Sequence, residues 1–182
     1  MKKRFGLIII SAIIICLFIA TGCSNGAKKT EEAKASEGTA QATAEKFLNE
    51  LYEVKDSNSS TEAMNSIDTI TKAHEKFYTV TTKKALESLM ADRWYGRNLK
   101  FSSANKCSLK ATKIDFEKTF EDKKAGKFGF NYTATVEATY DKDQKKEEDT
   151  EKGYVGLVFE DNQWKVYSHS INNYAKMLSK TE

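Results

Sequence analysis

In the stretch Phe128-Gly129-Phe130-Asn131-Tyr132-Thr133-Ala134-Thr135-Val136-Glu137-Ala138-Thr139-Tyr140 every even position is apolar, while Asn131, Thr133, Thr135, Glu137 and Thr139 fill odd ones. Successive side chains of a β-strand point to opposite faces, so a period of two predicts a long strand with one face on a core and one in water. Working outward, residues Ser108 to Phe120 read as an earlier strand whose apolar parity slips from Leu109 and Ala111 to Ile114, Phe116 and Phe120. A slip of one residue predicts a bulge or bend. On the other side, Tyr154 to Glu160 and Gln163 to Ser170 read as two strands joined by a turn at Asp161 and Asn162. The nearly all-charged run Asp141 to Thr150 reads as a solvated hairpin tip, and Ile171 to Leu178 as a short terminal helix.

Upstream the period changes. Ala44, Phe47, Leu48, Leu51 and Tyr52 recur at helical spacing on one stripe. Ser59 followed by Glu62 has the form of a capping box for a second helix with Ala63, Ile67, Ile70, His74 and Phe77 on its apolar face. A third, shorter helix is expected from Lys83 to Trp94, with Gly96 as its C-cap. Helices followed by sequential strands predict an α+β domain, its N-terminal helices packed on a curved four-stranded antiparallel sheet, with a short C-terminal helix.

That order resembles the nuclear transport factor 2-like, or cystatin-like, cone of many short extracytoplasmic lipoproteins of Gram-positive bacteria. The matching residues are the paired N-terminal helices, the Thr-rich entry to the helix at Leu86 to Arg93, the strand ending at Tyr140 and the hairpin Asp161-Asn162-Gln163-Trp164-Lys165-Val166. The resemblance spans about residues 40 to 178. It implies a conical pocket that relatives use for catalysis, ligand binding or assembly, so the fold alone does not select a function.

The N-terminus carries an address. Lys2, Lys3 and Arg4 precede an apolar run from Phe5 to Ala20, the pattern of a signal peptide and shorter than the roughly 20 residues that a permanent span needs. The following Ala20-Thr21-Gly22-Cys23 resembles the lipobox of bacterial lipoproteins. The resemblance implies cleavage before Cys23 and a diacylglyceryl lipid on its sulfur, which places the protein at the cell membrane, facing outside the cytoplasm. The expected organisation is therefore a signal peptide over residues 1–22, a lipidated cysteine and flexible tether over 23–41, and the α+β domain over 42–182. The tether, rich in Ala, Lys, Glu, Thr, Ser and Gly without aromatic residues, would give the domain a reach of about 20 to 25 Å.

Removing residues 1–22 takes three basic and no acidic residues from totals of 29 and 26, leaving 26 of each. A neutral mature chain offers no electrostatic footprint for nucleic acid. Cys107 is then the only free thiol, so no disulfide forms within the mature chain, and two histidines with one cysteine fall short of a structural zinc set. Asp141 and Asp143 faintly suggest a calcium loop, but Lys145 and Lys146 stand where ligands belong. No Walker loop, dinucleotide-binding glycine pattern or Ser/His/Asp set is present, and no cofactor or metal is expected.

Three candidates for chemistry remain. Asp115 as base and Tyr132 as acid would suit a small pocket enzyme of the ketosteroid isomerase or dehydratase type. His74 on a helical apolar face would serve such a pocket as base or donor, although a core histidine is the commoner case, and the same weighting applies to His169. The third is Arg93-Trp94-Tyr95-Gly96-Arg97, which holds both arginines of residues 23–182 in a chain otherwise basic through lysine. Arginine stacks on aromatic rings or clamps a carboxylate at two points, and Arg, Trp and Tyr dominate interface hot spots. Arg93, Trp94, Tyr95 and Arg97 are therefore candidate binding residues, the plainer reading being a core tryptophan with arginines serving nearby acids. The function expected is a non-enzymatic binding or accessory module, with a pocket enzyme and a structural part of an envelope or conjugation assembly as rivals. Its partners would be the membrane, through the lipid on Cys23, and an envelope protein.

Overall fold

The alternation at residues 128–140 does what the pleat dictates. In the computed structural model, which describes residues 36–179, Phe128, Phe130, Tyr132, Ala134, Val136 and Ala138 are buried on one face of a strand. The strands are β1 (Cys107–Asp122), β2 (Lys127–Tyr140), β3 (Lys146–Glu160) and β4 (Gln163–Asn173), in one antiparallel sheet of order β1-β2-β3-β4. The parity slip in β1 is real: its register with β2 shifts between Ala111 and Lys113 and again between Lys118 and Phe120. Such bulges bend and twist a strand.

Among the described residues five α-helices precede the sheet: α1 (Glu37–Tyr52), α2 (Ser57–Ala63), α3 (Ile67–Ala73), α4 (Lys83–Ala91) and α5 (Trp94–Asn105). The stripe of α1 buries Ala44, Phe47, Leu48, Leu51 and Tyr52 in the core that the inner face of the sheet completes. Among the described residues two isolated bridges fasten the connections beside α1 and α4 to the sheet edges, Val54 with Leu109 and Thr81 with Val166. The result is the α+β class and layering expected.

Several elements depart from expectation. The expected second helix is three pieces, α2, α3 and a 3-10 turn at Glu75–Phe77. Asp56, whose carboxylate accepts from the Ser59 amide, caps α2, and the capping box lies instead at Ser66 and Thr69, where the chain restarts as α3. Gly96 does not end a helix. The turn comes at Arg93, which takes the left-handed conformation (φ 55°), and α5 then runs through Gly96 to Asn105. The charged run is a hairpin tip only over residues 141–145, because β3 begins at Lys146 and pairs with β2 from there. The C-terminal helix is a 3-10 turn, Lys176–Ser179, and α1 begins at Glu37, inside the stretch read as tether. The signal peptide, Cys23 and residues up to 35 lie outside the described residues. Among those described, no helix is long and apolar enough to cross a membrane.

Candidate functional site

Tyr132 projects from β2 toward the helices. Its cross-strand neighbour is Gly153, and a Cβ there would stand 2.6 Å from the Tyr132 hydroxyl, so the glycine makes room for the phenol. Two residues further along β2, Ala134 faces Glu151 of β3, whose carboxylate is fully buried.

Glu151 organises the interior. Arg97, from the first turn of α5, grips it with two parallel hydrogen bonds, Nη1 to Oε2 at 2.9 Å and Nη2 to Oε1 at 3.0 Å. Tyr52 donates its hydroxyl to Oε1 at 2.7 Å, and the Ala175 amide donates to Oε2 at 3.2 Å. Four donors on one carboxylate offset the desolvation that makes a buried charge costly. Asn98 accepts from Arg97 and donates to the Leu51 carbonyl, tying the cluster to the end of α1. The Arg97 guanidinium also lies 5.9 Å from the Trp94 ring and 5.7 Å from the Tyr174 ring.

The network continues to β4. The Tyr132 hydroxyl lies 3.4 Å from that of Tyr52 and 3.0 Å from His169 Nε2. Burial first, then Tyr132 and Glu151, push the Tyr52 phenol well above its ordinary value, and burial likewise raises Tyr132. Burial, with the positive charge of Arg97 second, holds His169 down at about 3. These groups keep fixed protonation states at neutral pH. They form a static network, unlike an acid and base poised to exchange a proton.

Of the sequence candidates, Arg97, Tyr132 and His169 belong to this network and the others fall elsewhere. Asp115 does not meet Tyr132: the bulge after Ala111 turns it to the outer face opposite Thr133, where its exposed carboxylate pairs with Lys113 at 2.6 Å. His74 is buried in the core, with Nδ1 2.7 Å from the Ile70 carbonyl and its ring edge-on to Tyr95 at 5.5 Å. Tyr95 is also buried, beneath the Lys76 ammonium at 4.0 Å. Trp94 is half-buried and Arg97 is committed to Glu151, so of the arginine patch only Arg93 stands exposed. Cys107 is fully buried, and burial followed by Asp141 pushes its thiol up to about 11, which removes reactivity at neutral pH. Among the described residues no group of His, Cys, Asp or Glu could hold a metal ion.

Glu151 escaped the sequence reading because it sits beside a run that looked solvated. The missed signal is alternation: in β3 the carboxylates of Glu147, Asp149 and Glu151 share the less exposed parity, while Glu148, Thr150 and Lys152 are exposed. A second feature unseen in the sequence is a cleft of about 440 Å³ between α4 and β4, walled in part by Trp94 and His169.

Neither a protein-family model nor a curated protein sequence matches the chain. Solved structures do. The likeness is one of fold. CagV, a VirB8 homologue of the type IV secretion system of Helicobacter pylori, aligns at a TM-score of 0.54 with 11% identity, over 76% of this chain and 99% of that one. A periplasmic fragment of TraM gives 0.52 and 12%, over 76% and 98%. An IcmL-like type IV secretion system protein from Legionella pneumophila gives 0.50 and 9%, over 77% and 94%.

Proposed function

We propose that this protein is a non-catalytic component of an envelope assembly, exported and held on the outer face of the cell membrane by a lipid on Cys23. The observation that carries the reading is the saturated centre of the cone. Glu151, the carboxylate that meets Tyr52 and shares its network with Tyr132, is bound on both oxygens by Arg97, Tyr52 and the Ala175 amide, so it is neither a free base nor a free acid. A cone locked in this way serves as a rigid body that presents surfaces. The reading is supported by the shared fold of CagV and the IcmL-like protein, both of type IV secretion systems, and of the periplasmic TraM fragment. The lipobox-like residues Ala20 to Cys23 support the anchor, and Arg93 beside Trp94 and the half-exposed Tyr174 is the surface best suited to a protein partner.

The test is gentle detergent extraction of membranes from cells that make the tagged chain, with mass analysis of the chain and of whatever copurifies. The reading expects an N-terminus at a diacylglyceryl-modified Cys23, release from the membrane in Cys23→Ala, and a discrete envelope protein in the eluate. An intact Met1 end, or a chain that elutes alone, contradicts it.

A further inference from the structure

The cleft between α4 and β4 encloses about 440 Å³, within the range of small-ligand pockets. Phe47, Leu89 and Val166 give it apolar surface, and Lys84, Trp94 and His169 stand in its wall. Two of those residues carry a buried nitrogen with no partner among the described residues, Trp94 Nε1 and His169 Nδ1. Unpartnered buried polar atoms are rare in folded proteins and call for a reason.

The interior network fixes what the histidine nitrogen offers. Glu151 accepts from Arg97, so the one hydroxyl proton of Tyr52 points to Glu151 at 2.7 Å. The Tyr132 proton is left for its nearer neighbour, His169 Nε2 at 3.0 Å, in preference to the Tyr52 oxygen at 3.4 Å. A ring that accepts at Nε2 and is neutral carries its hydrogen on Nδ1. Its neutrality follows from burial and the nearby Arg97. Trp94 Nε1 is a donor by constitution. Both orphan nitrogens of the wall are therefore donors, and Lys84 adds a third.

We infer that this cleft binds a compact organic molecule bearing an acceptor oxygen, a carboxylate or a carbonyl, on an apolar body, with Trp94 Nε1–H and His169 Nδ1–H donating to that oxygen. The apolar body rests on Phe47, Leu89 and Val166, and the protein supplies donors without a competing acceptor at either nitrogen. Asp92 also stands in the wall, so with Lys84 the lining carries one charge of each sign.

The test uses the mature chain, labelled with 15N, titrated with 4-fluorobenzoate, 4-fluoroacetophenone and 4-fluorotoluene. Long-range 1H–15N spectra report the His169 tautomer before any addition, and the inference requires hydrogen on Nδ1. With an oxygen-bearing probe the Trp94 indole N–H resonance moves downfield while that of Trp164 stays, and the fluorotoluene binds at least tenfold more weakly. The carboxylate and ketone arms tell which oxygen is preferred. Trp94→Phe, which keeps an aromatic ring and deletes the donor, weakens the better oxygen probe at least tenfold. Hydrogen on Nε2, an unmoved Trp94 resonance with both oxygen probes, or equal binding of the fluorotoluene overturns the inference.

Discussion

Arg97 and Glu151, 54 residues apart in the chain, meet fork to fork in the interior, and the carboxylate has no solvent exposure while the arginine side chain keeps 18%. The pair joins α5 to β3, and through the Ala175 amide it also holds the C-terminal segment against the sheet. It is the fixed point around which the helices and the sheet agree.

Removing one partner strands the other. Arg97→Met should destabilise the domain by about 3 to 5 kcal/mol, since it leaves a buried carboxylate without its cation. Arg97→Lys should fall between, because an ammonium cannot reproduce the two-point geometry. Arg93→Lys, on an exposed side chain, should stay within about 0.5 kcal/mol. Urea unfolding curves of the three variants check the order.

His169 sets a pH dependence. Its folded value, about 3, lies below the ordinary 6.5, so between those values the unfolded chain binds a proton that the folded chain refuses. Stability is complete above about pH 6.5 and is lost as pH falls toward 3, at about 1.4 kcal/mol per pH unit from this group. His169→Gln should flatten the slope between pH 6.5 and 5, where carboxylates contribute little. Denaturant midpoints across that window measure it.

Gly153 is a packing prediction. A methyl group there meets the Ser170 carbonyl and comes within 2.6 Å of the Tyr132 hydroxyl. Gly153→Ala should therefore cost about 1 to 3 kcal/mol and displace Tyr132 from His169. Thermal unfolding gives the first quantity. The tyrosine ultraviolet difference spectrum gives the second.

Cys107 should be inert in the native state. Its thiol is buried and pushed up to about 11. At pH 8 a disulfide reagent should react with it at the rate of unfolding, and promptly in urea. Prompt reaction without denaturant would mean an open strand end at β1.

What could be read in advance follows the strength of local patterns. The alternation from Phe128 to Tyr140 and the slip in β1 were legible because one face of a strand must be apolar throughout. The break at Arg93 was not, since left-handed backbone is expected of glycine or asparagine and Gly96 lay nearby as a decoy. The single long second helix failed at Ser66, where a local cap restarts the chain against an otherwise continuous apolar stripe. For the site, the fork of Arg97 announced a carboxylate of some kind, but only the pairing of β2 with β3, which brings Ala134 beside Glu151, reveals which one. Asp115 and Tyr132 looked like partners until the bulge sent them to opposite faces.

The most direct test of the assembly reading is a photo-crosslinking amino acid placed at Arg93 or at Tyr174, irradiated in intact cells that make the full chain. The account predicts a discrete adduct at both positions that contains the same envelope protein, with none from a control position on the outer face of the sheet such as Asp115. A membrane-bound, folded chain that yields no adduct from either position would contradict it.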